Sequence, residues 1–169
     1  MNTAVVVGNP KPQSRTLEAA QLLLRRIAGH EPDTVVDVIE LGSGLLGWGD
    51  AGIKASVASV AESSLVVFAS PTFKATYTGL LKLFLDQFPT GDGLAGVTAV
   101  PLMLGAGPVH ALAPELLLKP VLVELGATVP VQGLYLNEKS YLDETSTQPW
   151  LDRWRGVLLA SAGLREQAG

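Results

Sequence analysis

Apolar residues follow two spacings in this chain, and the two alternate along its length. Nearly continuous apolar runs predict buried β-strands, whereas apolar residues three and four positions apart predict helices. On this basis we predict five strands, at Thr3–Val7, Val35–Leu41, Leu65–Ala69, Val97–Leu104 and Thr128–Tyr135.

Helical spacing fills the intervals between these strands. We predict helices that begin at Leu17, span about Ile53–Ala61, Ala75–Phe88 and about His110–Leu125, and begin again near Pro149. Pro10 and Pro12 exclude a helix from the loop that follows the first strand. Gly42–Gly49 and Asn137–Gln148 are expected to be loops.

The alternation of strands and helices predicts a three-layer α/β fold, with a parallel sheet covered by helices on both faces. Crossovers are then right-handed, and the common order for five strands is the flavodoxin-like 2-1-3-4-5. Because residues 1–169 contain no internal repeat and no low-complexity segment, we expect a single domain.

Composition narrows the possible functions. The chain has no cysteine, which excludes disulfides and thiolate chemistry. It has only two histidines, His30 and His110, which argues against a zinc site. A net charge of −4 gives no reason to expect nucleic acid. Met1–Val7 lacks the basic start of a signal peptide, and no apolar run reaches the ~18 residues of a membrane span. We therefore expect a cytoplasmic protein that binds neither nucleic acid nor membrane.

Three unusual loops are expected to meet at one edge of this sheet. Ligands of open α/β sheets bind beyond the carboxyl ends of the strands, where the strand order reverses. In the predicted order, that position brings together Gly8–Thr16, Ser70–Tyr77 and Gly105–His110.

The first of these loops has the properties of a phosphate site. It ends at a helix N-terminus, whose free N–H groups and partial positive charge suit an anion. The candidate phosphate ligands are Asn9, Lys11, Ser14, Arg15 and Thr16. The glycine spacings of a Walker A or dinucleotide loop are absent, so a single terminal phosphate fits better than a pyrophosphate. A purely helix-capping role for Ser14 or Thr16 is equally open.

The other two loops suit a flat ring. Pro71, Thr72, Phe73 and Lys74 offer an aromatic wall with backbone donors, as the rim of a flavin requires. Gly105 and Gly107 allow close backbone approach to a ligand. Simpler roles also fit, since Phe73 could be a core aromatic, Lys74 a surface charge and the glycines turn residues. His110 is expected to have no chemical role.

Three groups of residues carry a resemblance to a known family. They are Gly8–Lys11 with Ser14–Thr16, the segment Ser70–Lys82 with the sequence SPTFKATYTGLLK, and Gly105–His110 with Leu118–Leu122. Together they resemble the NADPH-dependent FMN reductase family, most closely the flavin reductases of alkanesulfonate two-component monooxygenase systems. The middle segment is the specific one. The likeness covers nearly the whole chain and weakens after Tyr135.

This resemblance implies an NAD(P)H-dependent FMN reductase that passes hydride from NADPH or NADH to FMN and supplies a flavin-dependent monooxygenase. No residue is expected to be catalytic in the acid–base sense. Two positions depart from the family pattern. Asn9 stands where serine is usual, and Leu116 stands where the alkanesulfonate reductases carry a tyrosine on a π-bulged helix, a residue associated with flavin release.

Two other functions remain open, and one is excluded. The chain could retain FMN and reduce quinones, azo dyes or metal ions, or it could be a flavodoxin-like electron carrier. A receiver-type signalling domain needs acids at the ends of strands one and three, where Gly8-Asn9-Pro10 and Ser70-Pro71 stand instead.

Leucine-rich helices also predict self-association. The helix Ala75–Phe88 carries an apolar stripe that exceeds the needs of one sheet face, and Leu116–Leu125 is similarly apolar. We expect these helices to form a homodimer interface, within a dimer or a tetramer. The stripe consists of Tyr77, Leu80, Leu81, Phe84, Leu85 and Phe88.

Overall fold

Five parallel strands form one sheet in the computed structural model, in the order β2-β1-β3-β4-β5. The structure describes residues 1–168, and side chains through residue 163. The predicted strand order is therefore confirmed. The strands are β1 Thr3–Val7, β2 Thr34–Asp37, β3 Leu65–Pro71, β4 Thr98–Gly105 and β5 Leu134–Asn137.

Helices cover both faces of the sheet, which confirms the three-layer architecture. The helices are α1 Arg15–Ala28, α2 Ala51–Ala61, α3 Gly79–Leu85, α4 Lys119–Glu124 and α5 Glu144–Ala168. One core cluster, with Phe84 and Leu122, lies under α2, α3 and α4, and the other, with Leu24 and Leu158, lies under α1 and α5. Every residue of the central strands β1 and β4 is buried, as their continuous apolar sequence predicts.

The second predicted strand, Val35–Leu41, is too long at its carboxyl end. β2 ends at Asp37, and Val38–Leu46 forms 3₁₀ turns that are kinked at Gly42, where φ is 67°. β2 is an edge strand, because it pairs only with β1 in the sheet. The apolar residues that follow β2 lie in the 3₁₀ segment, which packs on the core through Val38 and Leu45.

The observed helix α3 is shorter than the predicted helix Ala75–Phe88 and does not span the whole apolar stripe. It begins only at Gly79, because Lys74 and Ala75 adopt φ of 50° and 72° and Thr78 caps the first turn. Leu81, Phe84, Leu85 and Phe88 are buried in the chain's own core. The expectation that this stripe exceeds the needs of its sheet face was therefore wrong for these four residues.

The predicted helix His110–Leu125 is divided into three pieces. A 3₁₀ turn at Pro108–His110 is followed by a π turn at Pro114–Leu118 and then by α4. The Lys119 N–H bonds to the Pro114 carbonyl, as in a π-helix. Pro120 accounts for the widening, because it lacks a donor for the Leu116 carbonyl and its ring crowds that oxygen.

The last two predicted elements are shifted along the chain. Of the predicted strand Thr128–Tyr135, Thr128 makes only an isolated bridge to Thr98, and β5 runs from Leu134 to Asn137. Pro130 cannot donate to a ladder, which explains the break. The predicted loop Asn137–Gln148 ends early, because the Asp143 carboxylate accepts the Thr145 N–H and α5 begins at Glu144. No helix in the described residues is both long and apolar enough to cross a bilayer.

Candidate functional site

The three predicted loops are joined directly at the carboxyl edge of the sheet. The Gly8 N–H donates to the Ala69 carbonyl at 2.9 Å, and the Thr72 N–H donates to the Leu104 carbonyl at 2.7 Å. The Thr78 hydroxyl donates to the Gly8 carbonyl at 2.5 Å and accepts the Leu81 N–H at 3.1 Å. Thr78 therefore ties the start of α3 to the first loop.

Gly8 allows this close packing because it has no side chain. A Cβ on Gly8 would lie 2.3 Å from the Cβ of Leu81 and 2.7 Å from its Cα. The first loop thus rests against the backbone of α3, which fixes its distance from the second loop.

The N-terminus of α1 presents free donors toward the first loop. Ser14 caps the helix by accepting the Leu17 N–H at 3.2 Å. Helix geometry leaves the N–H groups of Arg15 and Thr16 without an intrahelical acceptor. The Ser14 hydroxyl and the free N–H groups both suit a bound phosphate. Ser14 also has the helix-capping role that was the alternative interpretation.

Asn9 and Thr16 engage each other in this structure. The Asn9 amide donates to the Thr16 hydroxyl at 3.0 Å, and the Asn9 carbonyl oxygen accepts the Lys11 N–H at 2.9 Å. Thr16 is buried and Lys11 is exposed. Asn9 therefore shapes the loop, and its amide is already committed to Thr16.

The Arg15 guanidinium lies at the surface and connects the first loop to the turn after β5. It donates to the Glu138 carbonyl at 3.2 Å. Beside it, the Tyr141 hydroxyl donates to the Glu18 carboxylate at 2.6 Å. Burial, reinforced by that hydrogen bond, raises the pKa of Tyr141 to about 12, so Tyr141 remains a donor at neutral pH. These two hydrogen bonds connect the first turn of α1 to the segment that follows β5.

Asp37, at the end of β2, is hydrogen-bonded to the same loop. Its Oδ2 accepts the Gln13 N–H at 3.2 Å, and Gln13 adopts a left-handed φ of 49°. Its Oδ1 is buried and has no hydrogen-bond partner in the described part of the chain. Burial raises the pKa of this carboxyl, the Gln13 N–H opposes the shift, and the charge of Glu40 adds to it.

The second loop forms a tight, strained turn. Phe73 and Thr76 exchange backbone hydrogen bonds of 2.9 and 3.2 Å around Lys74 and Ala75. Both central residues have positive φ, which is costly for residues other than glycine. The turn leaves Phe73 half exposed, with 50% of its surface accessible.

Two backbone donors of this loop are not available to a ligand. The Thr72 N–H bonds to Leu104 and the Phe73 N–H bonds to Thr76. The backbone donors expected of this loop therefore do not include these two N–H groups. Thr72 instead offers its hydroxyl, which is buried and has no partner among the described residues.

The glycine loop is oriented by residues from β5. The carbonyls of Gly105, Ala106 and Gly107 each accept one hydrogen bond from this side, at 3.0, 3.1 and 2.7 Å. The donors are the Glu138 N–H, the Asn137 amide and the Tyr135 hydroxyl. Because these carbonyls are held toward β5, the backbone of Ala106 and Gly107 is fixed at the rim of the site.

Two adjoining cavities lie at this rim. One of ≈280 Å³ is lined by residues of the second and third loops together with Tyr135, namely Thr72, Gly105, Ala106, Gly107, Val109 and His110. Its neighbour of ≈370 Å³ shares Val109 and His110 and extends over Ala75 to Leu112, Leu116 and Leu117. Thr72, His110 and Tyr135 are the polar residues in the lining of the first cavity, whereas His110 is the one polar residue in the lining of the second.

Sequence reasoning missed three residues that hold this site together. Asp37, Thr78 and Tyr135 act through hydrogen bonds to Gln13, Gly8 and Gly107. Each bond links different elements, so local spacing gives no signal for it. The one available signal was Asp37 itself, an acid within the predicted strand Val35–Leu41.

The described residues contain no group of three or more acidic or histidine side chains that could hold a metal ion. The site instead combines a helix N-terminus, an orphan buried hydroxyl and a glycine loop beside a cavity. These features fit a flavin mononucleotide, because a phosphate suits the first and a flat ring with a polar rim suits the others. Fold and site together are those of a flavodoxin-like protein.

Comparisons with known proteins identify the family. The model of the NADPH-dependent FMN reductase family matches residues 1–142. The NADH-dependent FMN reductase SfnF of Pseudomonas fluorescens strain Pf0-1 is 30% identical over 155 residues, which cover 84% of this chain and 80% of that protein. The chain belongs to the NADPH-dependent FMN reductase family.

Two further relatives have different coverage. The FMN reductase (NADPH) of Pseudomonas putida strain KT2440 is 32% identical over 90 residues, or 53% of this chain and 45% of that protein, so the match spans about half of that relative. The apo crystal structure of the NADH:FMN oxidoreductase EMOB superposes with a TM-score of 0.77 at 28% identity, over 99% of this chain and 89% of that one.

Proposed function

We propose that residues 1–169 form one FMN-binding domain that acts as an NAD(P)H-dependent FMN reductase. One observation carries this proposal: the free N-terminus of α1 and the cavity beside Thr72 and Gly105 open at the same edge of the sheet. Membership of the family supports the same reaction. Relatives named for NADPH and for NADH both match, so either nucleotide is a candidate donor.

The first loop would bind the FMN phosphate. The N–H groups of Arg15 and Thr16 and the positive end of α1 supply the main attraction, and the exposed Lys11 and Arg15 side chains add charge. Ser14, which caps the helix, would bind the same anion. Asn9, which is committed to Thr16, contributes by holding the loop.

The second and third loops would bind the flavin ring. Phe73 and Pro71 supply apolar contact, and the Thr72 hydroxyl gains the partner that it lacks in the protein alone. Lys74 adds positive charge near the ring, and Gly105 and Gly107 allow the backbone to approach it closely. These contacts orient the ring and leave its outer face for the nicotinamide.

The protein's part in the reaction is positioning and electrostatics. Bound FMN supplies the acceptor for a hydride from the nicotinamide. The site needs no nucleophile and no general base, because no proton has to be abstracted from carbon. The Thr72 hydroxyl and the glycine-loop N–H groups would stabilise negative charge at the polar rim of the ring.

The fate of the reduced flavin separates two versions of this function. Released flavin would supply a flavin-dependent monooxygenase in the cytoplasm, whereas retained flavin would reduce an acceptor such as a quinone. The π turn at Pro114–Leu118 favours release, whereas Leu116, which stands where the alkanesulfonate reductases carry a tyrosine, favours retention. Flavin content after purification distinguishes them, because one FMN per chain indicates retention.

Self-association belongs to the same proposal. Leu112, Leu116 and Val123 are 58%, 62% and 52% exposed around the π turn and α4. Such a group of exposed leucine and valine side chains supports a homodimer, or a tetramer built from it, through this surface.

Two measurements test the proposed reaction on protein stripped of flavin. Titration with FMN should quench flavin fluorescence, and NAD(P)H oxidation should depend on added FMN. Ser14→Ala and Arg15→Ala should each weaken FMN binding. A titration without quenching or spectral change would remove the proposal, and oxidation that needs no added flavin would contradict it. Flavin reduction without turnover would indicate an electron carrier.

A further inference from the structure

Asp37 has an unusual position for a carboxyl group. It is the last residue of β2, pairs with Val7 at the end of β1 and is only 6% exposed. Val36 packs into the core under α2 and α3, so strand alternation directs Asp37 to the opposite face, where α1 begins. The side chain therefore lies beneath the loop that leads into α1.

The contact that Asp37 makes is with the backbone of that loop. Its Oδ2 accepts the N–H of Gln13, the residue directly before the α1 cap Ser14. Gln13 has a φ of 49°, a left-handed conformation that is unfavourable for a residue with a side chain. Such a conformation persists where surrounding contacts determine it, and this hydrogen bond is such a contact.

Stability alone does not explain a carboxyl group here. Its second oxygen, Oδ1, is buried without a partner in the described chain. An unsatisfied buried oxygen destabilises a folded protein, and an apolar side chain would suit this strand position better. The carboxylate accepts one hydrogen bond in the described part of the chain, from the Gln13 N–H, and the nearby Ile39 N–H also lowers its pKa.

We propose that Asp37 is a positioning residue for FMN: it holds Gln13 in the conformation that sets Ser14 and the α1 N-terminus against the phosphate. This inference rests on the proposed phosphate site. The hydrogen bond of Asp37 goes to the first loop, so we expect its effect to be confined to ligands that carry the phosphate.

The experiment compares FMN with riboflavin, which has the same ring and lacks the phosphate. Dissociation constants for both are measured by flavin fluorescence on flavin-free protein. Asp37→Val removes the acceptor and suits a buried strand. It should weaken FMN binding about tenfold, as expected for one lost hydrogen bond to a charged carboxylate, and leave riboflavin binding and the reduction rate at saturating flavin unchanged.

Two further variants make the result specific. Asp37→Asn keeps an oxygen that can accept the Gln13 N–H, and it should retain the wild-type preference for FMN. Asp33→Val is the matched control, because Asp33 accepts the Thr3 N–H at 2.8 Å at the start of β1, the end of the strand remote from the loop. It should leave the FMN preference unchanged even if the melting temperature falls.

The outcomes separate this inference from the proposed function. If wild-type protein binds FMN no better than riboflavin, the assignment of the phosphate site is wrong, and the proposed role of Asp37 is wrong as well. If the wild type prefers FMN and Asp37→Val keeps that preference, only the role of Asp37 is wrong. Equal losses for both flavins in Asp37→Val would indicate a merely structural residue and would also overturn it.

Discussion

The Tyr135 hydroxyl donates a 2.7 Å hydrogen bond to the carbonyl oxygen of Gly107 and so links β5 to the loop after β4. The tyrosine occupies space that only glycine leaves free, because a Cβ on Gly105 would lie 1.9 Å from its hydroxyl oxygen. Tyr135 therefore determines both the orientation of the glycine loop and one wall of the ring-side cavity.

Removing this hydroxyl should loosen the ring site. Tyr135→Phe deletes one hydrogen bond worth about 1 kcal/mol, so we expect riboflavin and FMN to lose affinity equally, by about fivefold. Fluorescence titration with both flavins measures the change. Tyr141→Phe is the control, because that hydroxyl bonds to Glu18 on α1 and should not affect riboflavin. Unchanged affinity in Tyr135→Phe would show that the ring does not depend on this loop.

Gly8 should tolerate no side chain. Gly8→Ala places a Cβ 2.3 Å from that of Leu81 and close to its backbone, so α3 or the first loop must move. We expect a loss of about 1–3 kcal/mol in unfolding free energy, typical of overpacking, and weaker FMN binding. Chemical denaturation measures the first quantity.

The matched control for this change is a glycine of α3 that lies outside the contact with Gly8. Gly79→Ala meets nothing within 4 Å and lies at the start of α3. Alanine there should leave stability unchanged or raise it by up to about 1 kcal/mol, because it restricts the unfolded chain. Equal stability of the two variants would contradict the packing argument for Gly8.

Periodicity predicted the parts of this fold that depend on burial. Continuous apolar runs predicted the central strands, because such runs fit a covered parallel sheet: Thr3–Val7 has its predicted bounds, and the predicted strand Leu65–Ala69 extends to Pro71. The strand order follows from the common arrangement of five parallel strands. The same reasoning identified the three loops, because topology alone brings the strand ends together.

The parts that failed depend on long-range hydrogen bonds or on backbone strain. The apolar stripe extended the predicted α3 to Ala75, but the positive φ of Lys74 and Ala75 delays the helix. Neither residue signals such a turn, since glycine and asparagine are its usual residues. The bonds from Thr78 to Gly8 and from Tyr135 to Gly107 span 70 and 28 positions, beyond the reach of any local pattern.

Glu115 should make stability depend on pH. It accepts hydrogen bonds from the Lys119 ammonium at 2.9 Å and the Gly133 N–H at 2.6 Å, which ties the π turn to the segment before β5. Burial raises the pKa of Glu115, but these two hydrogen bonds and the charge of Lys119 outweigh it, so the net pKa is lowered.

The sign of the effect follows from this lowered pKa. The stabilisation is present above the ordinary pKa of a glutamate and is lost as the pH falls through the folded-state value. Glu115→Gln should therefore have a lower melting temperature than wild type at pH 7, with the difference shrinking toward pH 3. Glu124→Gln, at an exposed position on α4, is the control and should not alter the profile. A constant difference across this range would exclude the carboxylate as the cause.

The exposed leucines around the π turn should control self-association. Leu116 is 62% exposed and adjoins Leu112 and Leu117 in one apolar cavity wall. Leu116→Arg would place a charge on the surface proposed to be buried between copies, where desolvation is costly. Sedimentation should then change from a dimer or tetramer for wild type to a monomer for the variant. Leu142→Arg is the matched control, since Leu142 is 56% exposed in the turn after β5 and should leave the assembly intact. A wild-type protein that is monomeric at micromolar concentration would contradict the interface, and a variant that still assembles would place the contact elsewhere.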